Sequence, residues 1–327
     1  MGDNAARTVL VADIGGSNSR FAIATATRGW PQLSSVASYP NEGTASLESQ
    51  VERYLDETAS ATTAPAPTLA SFAVAGPVAH GRARLTNRPW RIDAGALAKT
   101  FSLRHVTLLN DFAALAHGIA FLPVGGSLVL QAGARDARGP LAVLGPGTGL
   151  GAALVLAPGQ RQRVVPTEAG HADFAPVAAR DWALRETLAA EAAPVTAERV
   201  LRGDGIAQLY RALGGGTVDT ATVCAHCGKD PRATEAIAWY LQLLGRFAGS
   251  LALTLGATGG VYLAGGVLPR LAGRLPGSRF LAGFNDRGPL ADYARAIPVH
   301  LVVDAGAALG GAAIAAAPDT SDRGGAA

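Results

Sequence analysis

Short apolar runs separated by glycine-rich turns fill the first part of the chain. Thr8–Ala12 and Arg20–Thr25 are strand-like and are joined by Gly15-Gly16-Ser17-Asn18, which predicts a β-hairpin rather than a strand leading into a helix. A third strand is expected around Ser34–Tyr39. Thr44–Thr58 has apolar residues at helical spacing and predicts the first helix.

Two further apolar runs stop abruptly at turn-forming or polar residues. Ser71–Ala75 predicts a buried strand that ends at Gly76-Pro77, and Val106–Leu109 predicts another that ends at Asn110-Asp111. A helix is expected from Phe112. The amide and carboxylate between strand and helix have two interpretations. They form a helix cap, or they place a catalytic base at the carboxyl end of a strand, where open α/β sheets bind ligands.

The same pattern begins again near residue 141. Strands are predicted on both sides of the glycine-rich turn Gly145–Gly151, so a second hairpin opens a second unit and indicates an internal structural duplication. The strands and helices predicted in this part are Leu141–Leu144, Ala152–Leu156, Val164–Pro166, Ala179–Glu191, Ala197–Arg202, Ile206–Leu213, Val218–Ala225, Pro231–Leu255, Gly260–Leu263 and Val299–Val303.

Composition argues against several classes of protein. The 327 residues are 49% hydrophobic and 16% charged, which is typical of a folded protein, here of two domains. The net charge of +3 is spread without a dense basic block, so no nucleic-acid partner is expected. We expect no membrane-spanning stretch, no signal peptide and a cytoplasmic location. Cys224 and Cys227 lack a second pair of ligands, which favours reduced thiols over a zinc site.

Two glycine-rich turns are candidates for phosphate binding. In Asp13–Arg20 and Gly145–Gly151 the glycines let backbone N–H groups approach an anion, and Ser17 and Thr148 add hydroxyl donors. Asp13 leads the first turn, where its carboxylate could hold a hydrated Mg²⁺. The alternative is an ordinary hairpin turn in each case, although a turn seldom needs the four glycines of the second stretch.

Two other stretches, and the scarcity of lysine, narrow the chemistry. Leu263–Val267 carries two glycines after a strand, which suits a flat ring or a packing turn. Glu168 and His171 lie in a loop and suit hydrogen bonding to sugar hydroxyls, but such side chains are more often only solvated. Lys99 and Lys229 are the only lysines and neither lies in a phosphate-binding motif, which argues against P-loop NTPases and protein kinases.

Taken in order, these motifs resemble those of the bacterial ATP-dependent glucokinase family, within the hexokinase/actin/Hsp70 ATPase superfamily. The resemblance covers residues 9–304, with mild departures at Ser17 and Ser19, where the family usually has Thr and Ala. The matching stretches are VADIGGSNSRFAIA, FAVAGPV, LTNRPW, LLNDFAALA, LGPGTGLGAA, PTEAGHADFAP, TAERVLRGDGI, GRFAGSLAL, GGVYLAGGVLPR and IPVHLVVD.

The resemblance implies an α/β fold with two actin-like (ribonuclease H-like) domains flanking a substrate cleft, residues 1–121 with 304–327 and residues 122–303. It also implies transfer of the γ-phosphoryl group of ATP, with Mg²⁺, to the 6-hydroxyl of glucose, by a homodimer. A kinase of broader hexose or amino-sugar specificity, and a non-catalytic sugar-sensing regulator of the same superfamily, stay open as alternatives.

The resemblance also implies residue roles. Asp111 resembles the base that takes a proton from the sugar 6-hydroxyl. Glu191 is aligned through the downstream VTAERVLRG, although the residues between differ from the family. The implied substrate-binding residues are Asn110, Asp111, Glu168, His171, Glu191, Gly76 and Pro77. The implied nucleotide-binding residues are Asp13, Gly15, Gly16, Ser17, Asn18, Gly147, Thr148, Gly149, Gly265 and Gly266, with Asp13 holding the metal through water.

Three related groups of proteins fit the residues less well. Kinases of the repressor/open-reading-frame/kinase group usually carry a Cys-rich zinc motif after the sugar-binding His, and none follows His171. A sugar-responsive repressor needs a DNA-binding helix-turn-helix, but the first strand is expected by residue 8. A non-catalytic actin- or chaperone-like ATPase has no use for Glu168 beside His171.

Overall fold

The chain divides into two compact units. The computed structural model describes residues 7–26, 29–59, 65–85, 88–159 and 162–316. One unit runs up to Gly126 and resumes at Asp304, and the other comprises Ser127–Val303. Compact packing does not show that a unit folds on its own, so the expected domains, residues 1–121 with 304–327 and 122–303, stay a prediction.

The first unit is a five-stranded sheet with helices on both faces. Its elements are β1 Arg7–Ile14, β2 Asn18–Ala26, β3 Gln32–Pro40, α1 Leu47–Ala59, β4 Leu69–Val74, β5 Val78–Ala79, β6 Arg82–Arg84, β7 Arg91–Asp93, α2 Ala94–Thr100, β8 His105–Asn110 and α3 Asp111–Ile119, with one further helix, Ala307–Ala315, contributed by the end of the chain. The sheet order is β3-β2-β1-β4-β8, and β5-β6-β7 form a small antiparallel sheet. The antiparallel pairing of β1 with β2 confirms the predicted hairpin, whereas β1, β4 and β8 run parallel.

Alternation along β1 supplies both cores of this unit. Leu10 and Ile14 face one side and pack in a core that includes residues of α1 and α2. Val9 and Val11 face the other side and pack with residues of α3 and Ala307–Ala315. A strand buried on both faces reads as a continuous apolar run, and this explains the composition of β1.

Ala307–Ala315 was not predicted from the sequence and packs closely on α3. A β-carbon added to Gly311 would lie 1.9 Å from the carbonyl oxygen of Ala114, so only glycine permits this approach. A β-carbon added to Gly118 would likewise lie 3.1 Å from the Cα of Gly311. The contact fixes α3 against the sheet.

The second unit repeats the first unit's strand order. Its elements are β9 Ser127–Gln131, β10 Leu141–Pro146, β11 Leu150–Leu156, β12 Arg163–Thr167, α4 Ala179–Glu191, α5 Ala197–Leu201, α6 Gly205–Ala212, α7 Thr220–His226, α8 Pro231–Leu255, β13 Gly260–Leu263, α9 Arg279–Asn285, α10 Ala291–Ala296 and β14 Val299–Val302; Ala307–Ala315 of the first unit is then α11. The sheet order is β12-β11-β10-β13-β14-β9. As in the first unit, an antiparallel three-strand meander is followed by two parallel strands, as the expected duplication requires. β9, α9 and α10 were not predicted.

The longest helix, α8, has clear signals at both ends. The Asp230 side chain caps its start, Pro231 occupies the first turn, and Gly256 ends it in the left-handed conformation with φ of 59°. By length and composition α8 could cross a bilayer, so the expectation that no such stretch exists was wrong by that criterion. However, 61% of its most apolar window is buried within the protein, as is usual for a core helix.

Candidate active site

The carboxyl ends of three parallel strands bring the predicted residues of the first unit to one edge of its sheet. β1 ends just before the Gly15–Asn18 turn, β4 just before Gly76, and β8 at Asn110. The Ala75 N–H donates to the carbonyl of Ile14 at 2.9 Å, which ties the first two strand ends together. This edge is where open α/β sheets bind ligands.

Asn110 and Asp111 lie at the junction of β8 and α3, where the structure confirms the helix cap, and the catalytic base stays a prediction. Asn110 is the N-cap of α3, because its Oδ1 accepts hydrogen bonds from the N–H groups of Phe112 at 3.0 Å and Ala113 at 3.2 Å. Its Nδ2 donates to the carbonyl of Gly76 at 3.3 Å. Asp111 is the first residue of α3 and is partly exposed. The Asp111 Oδ1 also accepts a hydrogen bond from the Phe112 N–H at 2.9 Å, so the carboxylate lies at the start of α3, beside the carboxyl end of β8.

Asp13 sits in an environment that disfavours its charge. Part of the side chain is exposed, but removal from water raises the pKa of the carboxyl above its ordinary value of 3.8, and the charge of Arg20 opposes this only in part. The carboxylate accepts no hydrogen bond from the described part of the chain. A desolvated carboxylate with unused oxygen lone pairs fits a hydrated magnesium ion.

The turn after β1 presents backbone donors without acceptors. The N–H groups of Gly16 and Ser17 donate to no acceptor among the residues that the structure describes. Gly16 is partly exposed and Ser17 is exposed, so both groups are open to a ligand. Adjacent free N–H groups in a turn form a concave site for an anion.

In the second unit the glycine-rich turn is shorter than predicted. β10 continues to Pro146 and β11 begins at Leu150, which leaves only Gly147, Thr148 and Gly149 in the turn. Thr148 is exposed, and the Gly203 N–H holds the carbonyl of Gly147 at 2.8 Å. The turn thus presents an exposed hydroxyl beside a restrained backbone, in keeping with its predicted role.

Two glycines outside this turn, Gly145 and Gly265, are required by close packing. A β-carbon on Gly145 would lie 1.8 Å from the carbonyl oxygen of Ala264, and one on Gly265 would lie 2.2 Å from that of Pro146. Gly265 also has φ of 99°. Packing between β10 and the end of β13 therefore explains both, whereas a β-carbon on Gly266 would meet no atom within 4 Å.

Glu168 immediately precedes a short 3₁₀ turn, Ala169–His171, of which His171 is the last residue, and both residues are exposed. Gly170 inside the turn packs so closely that a β-carbon would lie 2.1 Å from the carbonyl oxygen of Leu150. The imidazole Nε2 of His171 lies 3.8 Å from Oε1 of Glu198. The structure thereby adds a carboxylate, Glu198, that the sequence did not single out.

Glu191, the predicted third acidic residue, forms an ion pair with Arg199, and its assignment to the sugar stays a prediction. It is the last residue of α4, its side chain is 65% exposed, and its Oε2 pairs with Nη2 of Arg199 at 3.0 Å. Glu198 lies within the VTAERVLRG stretch that was used to align Glu191. The sequence feature that could have pointed to Glu198 is its place two residues after Thr196, the residue that caps the start of α5.

A cavity of about 420 Å³ opens beside the second glycine turn. Gly203, whose N–H holds Gly147, lies in its wall with Asp204. Arg270, residues of α6 and α7, and the segment 217–219 between these two helices complete the lining. This volume is within the range of small-molecule sites.

Protein-only metal sites and disulfides are not evident in the described residues. No group of three or more His, Cys, Asp or Glu side chains converges there, and Cys224 and Cys227 carry free thiols.

The chain is similar in sequence and in fold to known proteins of one family. The glucokinase family model matches residues 10–319. Glucokinase from Caulobacter sp. is 37% identical over 317 residues, which are 95% of each chain. A crystal structure of glucokinase from an Antarctic psychrotroph superposes with a TM-score of 0.82 at 34% identity, covering 94% of this chain and 98% of that one.

A more distant structure shares the fold. It is a glucokinase of the repressor/open-reading-frame/kinase family from Streptomyces griseus, in complex with glucose and AMPPNP, with a TM-score of 0.66. The two chains are 18% identical, and the alignment covers 94% of this chain and 99% of that one. At that identity the likeness concerns the fold alone.

Proposed function

The chain belongs to the glucokinase family, and we propose that it transfers the γ-phosphoryl group of ATP to the 6-hydroxyl of glucose with Asp111 as the general base. The observation that carries this proposal is the shared strand edge. At this edge lie the carboxylate of Asp111, the capped start of α3, and the two N–H groups after β1 that have no acceptor in the described residues.

Asp111 has the features that a base for a sugar hydroxyl requires. It is held at the start of α3 by a helix that is packed against the sheet, so its position is defined. The N-terminus of a helix favours a negative charge. Phosphoryl transfer depends mostly on positioning and charge neutralisation, and a base typically contributes about 10²–10⁴-fold.

Several polar side chains are proposed as partners of the sugar hydroxyls. In the second unit Glu168, His171 and Glu198 offer carboxylate acceptors and an imidazole. In the first unit Asn110 retains one Nδ2 hydrogen beyond the one donated to Gly76. A site that hydrogen-bonds hydroxyls can reject an analogue lacking one by about 10⁴–10⁵-fold. Glu191 is not included in this proposal, since its side chain is exposed and pairs with Arg199.

As the resemblance implies, the residues proposed to bind the nucleotide include those of the two glycine turns, and the cavity is proposed for the nucleoside. The Gly15–Asn18 and Gly147–Gly149 turns supply phosphate donors, and the cavity beside Gly203 receives the nucleoside. Asp13 would hold Mg²⁺ through water. The metal would neutralise phosphate charge during transfer.

Two properties are proposed from the resemblance and the chemistry. A cytoplasmic location agrees with the use of ATP and with the free thiols of Cys224 and Cys227. A homodimer is proposed from the resemblance alone. Sedimentation of the purified chain tests the dimer directly.

A coupled assay tests the proposed reaction. Glucose, mannose, fructose and glucosamine are each offered with ATP, ADP or polyphosphate, with and without Mg²⁺. We expect glucose with Mg·ATP to give the highest kcat/KM. No turnover with any pair would refute the function, and a preference for another hexose would change the substrate.

A further inference from the structure

The carbonyl oxygens of the first phosphate turn are all held by hydrogen bonds. The Gly15 N–H donates to the carbonyl of Asn18 at 3.0 Å, within the turn. The other three carbonyls accept from donors outside it. Because a carbonyl aimed at a phosphate would repel it, the direction of these groups decides whether the turn can bind an anion.

Asn41 holds two of these carbonyls. Its Nδ2 donates to Gly15 at 2.8 Å, and its backbone N–H donates to the carbonyl of Ser17 at 2.8 Å. The side chain is fully buried, and its Oδ1 accepts from Ser19 Oγ at 2.7 Å and from Gln50 Nε2 at 3.2 Å. Asn41 is therefore fixed by its own partners and can in turn fix the turn.

Arg88 holds the third carbonyl. Its Nε donates to Gly16 at 2.9 Å, and its Nη1 donates to the carbonyl of Asn41 at 2.8 Å. Two nearby residues of the chain, Leu85 and Trp90, are buried, and the Leu85 N–H donates to the carbonyl of Trp90 at 3.4 Å. The guanidinium therefore contacts both the turn and the buried Asn41. Two hydrogen bonds of this kind use the rigid fork of N–H donors that is specific to arginine.

Restraint of a carbonyl also sets the direction of the N–H in the same peptide. A trans peptide is planar, so its C=O and N–H point in opposite directions. Holding the Gly15 carbonyl therefore directs the N–H of Gly16, and holding the Gly16 carbonyl directs the N–H of Ser17. Those are the two N–H groups without an acceptor in the described chain. A carbonyl that accepts a hydrogen bond also polarises its peptide and strengthens the donor.

We propose that Arg88 and Asn41 are positioning residues for the phosphate groups of the nucleotide, which act by orienting the N–H groups of the Gly15–Asn18 turn. Arg88 adds a positive charge beside the turn in a chain with only two lysines. The proposal rests on the proposed function for the identity of the anion. Its physical basis is the set of hydrogen bonds.

Arg88→Gln tests the proposal because it removes both forked donors at a partly exposed position. We expect the KM for ATP to rise about 10-fold or more, from the usual energy of a hydrogen bond with a charged partner, while the KM for glucose changes less than about 2-fold. Arg91→Gln, which changes an exposed arginine three residues away, is the matched control and should behave as the unchanged protein.

Binding measurements separate positioning from a general structural role. By calorimetry, Arg88→Gln should weaken AMPPNP at least about 10-fold and leave adenosine, which has no phosphate, unchanged. Equal weakening of adenosine, or no effect on AMPPNP, would overturn the proposal. Arg88→Lys keeps the positive charge but loses the two forked N–H donors. Binding of AMPPNP by this variant as tightly as by the unchanged protein would also overturn the proposal.

The same experiment distinguishes two failures. If the unchanged protein phosphorylates no hexose, the proposed function fails. The comparison of AMPPNP with adenosine still tests whether Arg88 orients the N–H groups of the turn. Should Arg88→Gln not fold, Arg88→Lys provides the test, with a smaller but measurable loss of AMPPNP affinity expected. Asn41→Ala is less informative, because the side chain is fully buried.

Discussion

Glu198 Oε1 lies 3.8 Å from Nε2 of His171. The second oxygen of the same carboxylate accepts a hydrogen bond from the N–H of Leu150 at 2.8 Å, immediately after the Gly147–Gly149 turn. A β-carbon on Gly149 would lie 2.4 Å from that oxygen, so the turn and the carboxylate are in close contact. One side chain therefore joins the proposed sugar-binding segment to the proposed phosphate-binding turn.

Glu198→Gln and Glu191→Gln form a matched pair. We expect Glu198→Gln to raise the KM for glucose about 10–100-fold, since a hydrogen bond to a charged group is worth about 1.5–3 kcal/mol. Glu191→Gln should change it less than about 2-fold, because that side chain is exposed and paired with Arg199. Steady-state kinetics decide, and a larger effect at residue 191 would support the assignment made from the sequence.

Glu168→Gln and His171→Ala address the same pocket from its exposed side. Both are expected to raise the KM for glucose about 10-fold or more and to leave the KM for ATP within about 2-fold, because the removed groups bind hydroxyls rather than phosphates. Initial rates over a grid of both substrates give the two constants. Comparable changes in both would argue against a sugar pocket at this turn.

The raised pKa of Asp13 predicts that this carboxyl lowers the stability of the fold at neutral pH. A carboxyl whose pKa is higher in the folded than in the unfolded state stabilises the fold below its ordinary value of 3.8 and loses that contribution as the pH rises through the folded-state pKa. At pH values above the ordinary value of 3.8, removal of this carboxyl from water therefore costs stability.

Asp13→Asn should remove this cost, so thermal unfolding at pH 7 without nucleotide should give a higher Tm than the unchanged protein, while Mg·ATP-dependent turnover falls. The Tm difference should shrink as the pH is lowered. A lower Tm at pH 7 would show that the carboxylate is stabilising and contradict the pKa argument.

Asp181 predicts a stability effect without a direct effect on the site. Its Oδ1 accepts from Trp239 Nε1 at 2.8 Å, and its Oδ2 accepts from the N–H of Ala178 at 2.9 Å. The side chain is 3% exposed and lies 3.6 Å from Arg246. Removing one partner of a buried ion pair costs about 3–5 kcal/mol in the free energy of unfolding. Asp181→Ala should therefore unfold at a clearly lower urea concentration than the unchanged protein.

Asp292→Ala is the control for this measurement. Asp292 also pairs with an arginine, Arg295, but its side chain is 97% exposed, and little change is expected. Equal stability of Asp181→Ala and Asp292→Ala would mean that the buried interactions of Asp181 contribute nothing net.

Elements with local signals could be predicted from the sequence. Both hairpins follow from apolar strands joined by glycine turns, and α8 follows from Pro231 at its start and its apolar spacing. The glucokinase family expected from the motifs is confirmed by the family model. These signals lie within a few residues of the structure that they specify.

Elements that depend on distant partners could not be predicted. α11 is apolar on all sides and contains Gly310 and Gly311, which disfavour an isolated helix. Close contact with α3 requires Gly311, and close contact with the ring of Trp30 requires Gly310. β9 is a short strand whose partner, β14, follows much later in the chain. The same reason hides Glu198 and Arg88, since their roles arise from contacts with turns far away in sequence.

The most direct test of the central claim is the turnover of Asp111→Asn. The amide keeps the size of the side chain but cannot accept the proton of the 6-hydroxyl. We predict that kcat for glucose falls about 10²–10⁴-fold while calorimetry still detects glucose binding. Retention of most of kcat by this variant would contradict the assignment of Asp111 as the general base.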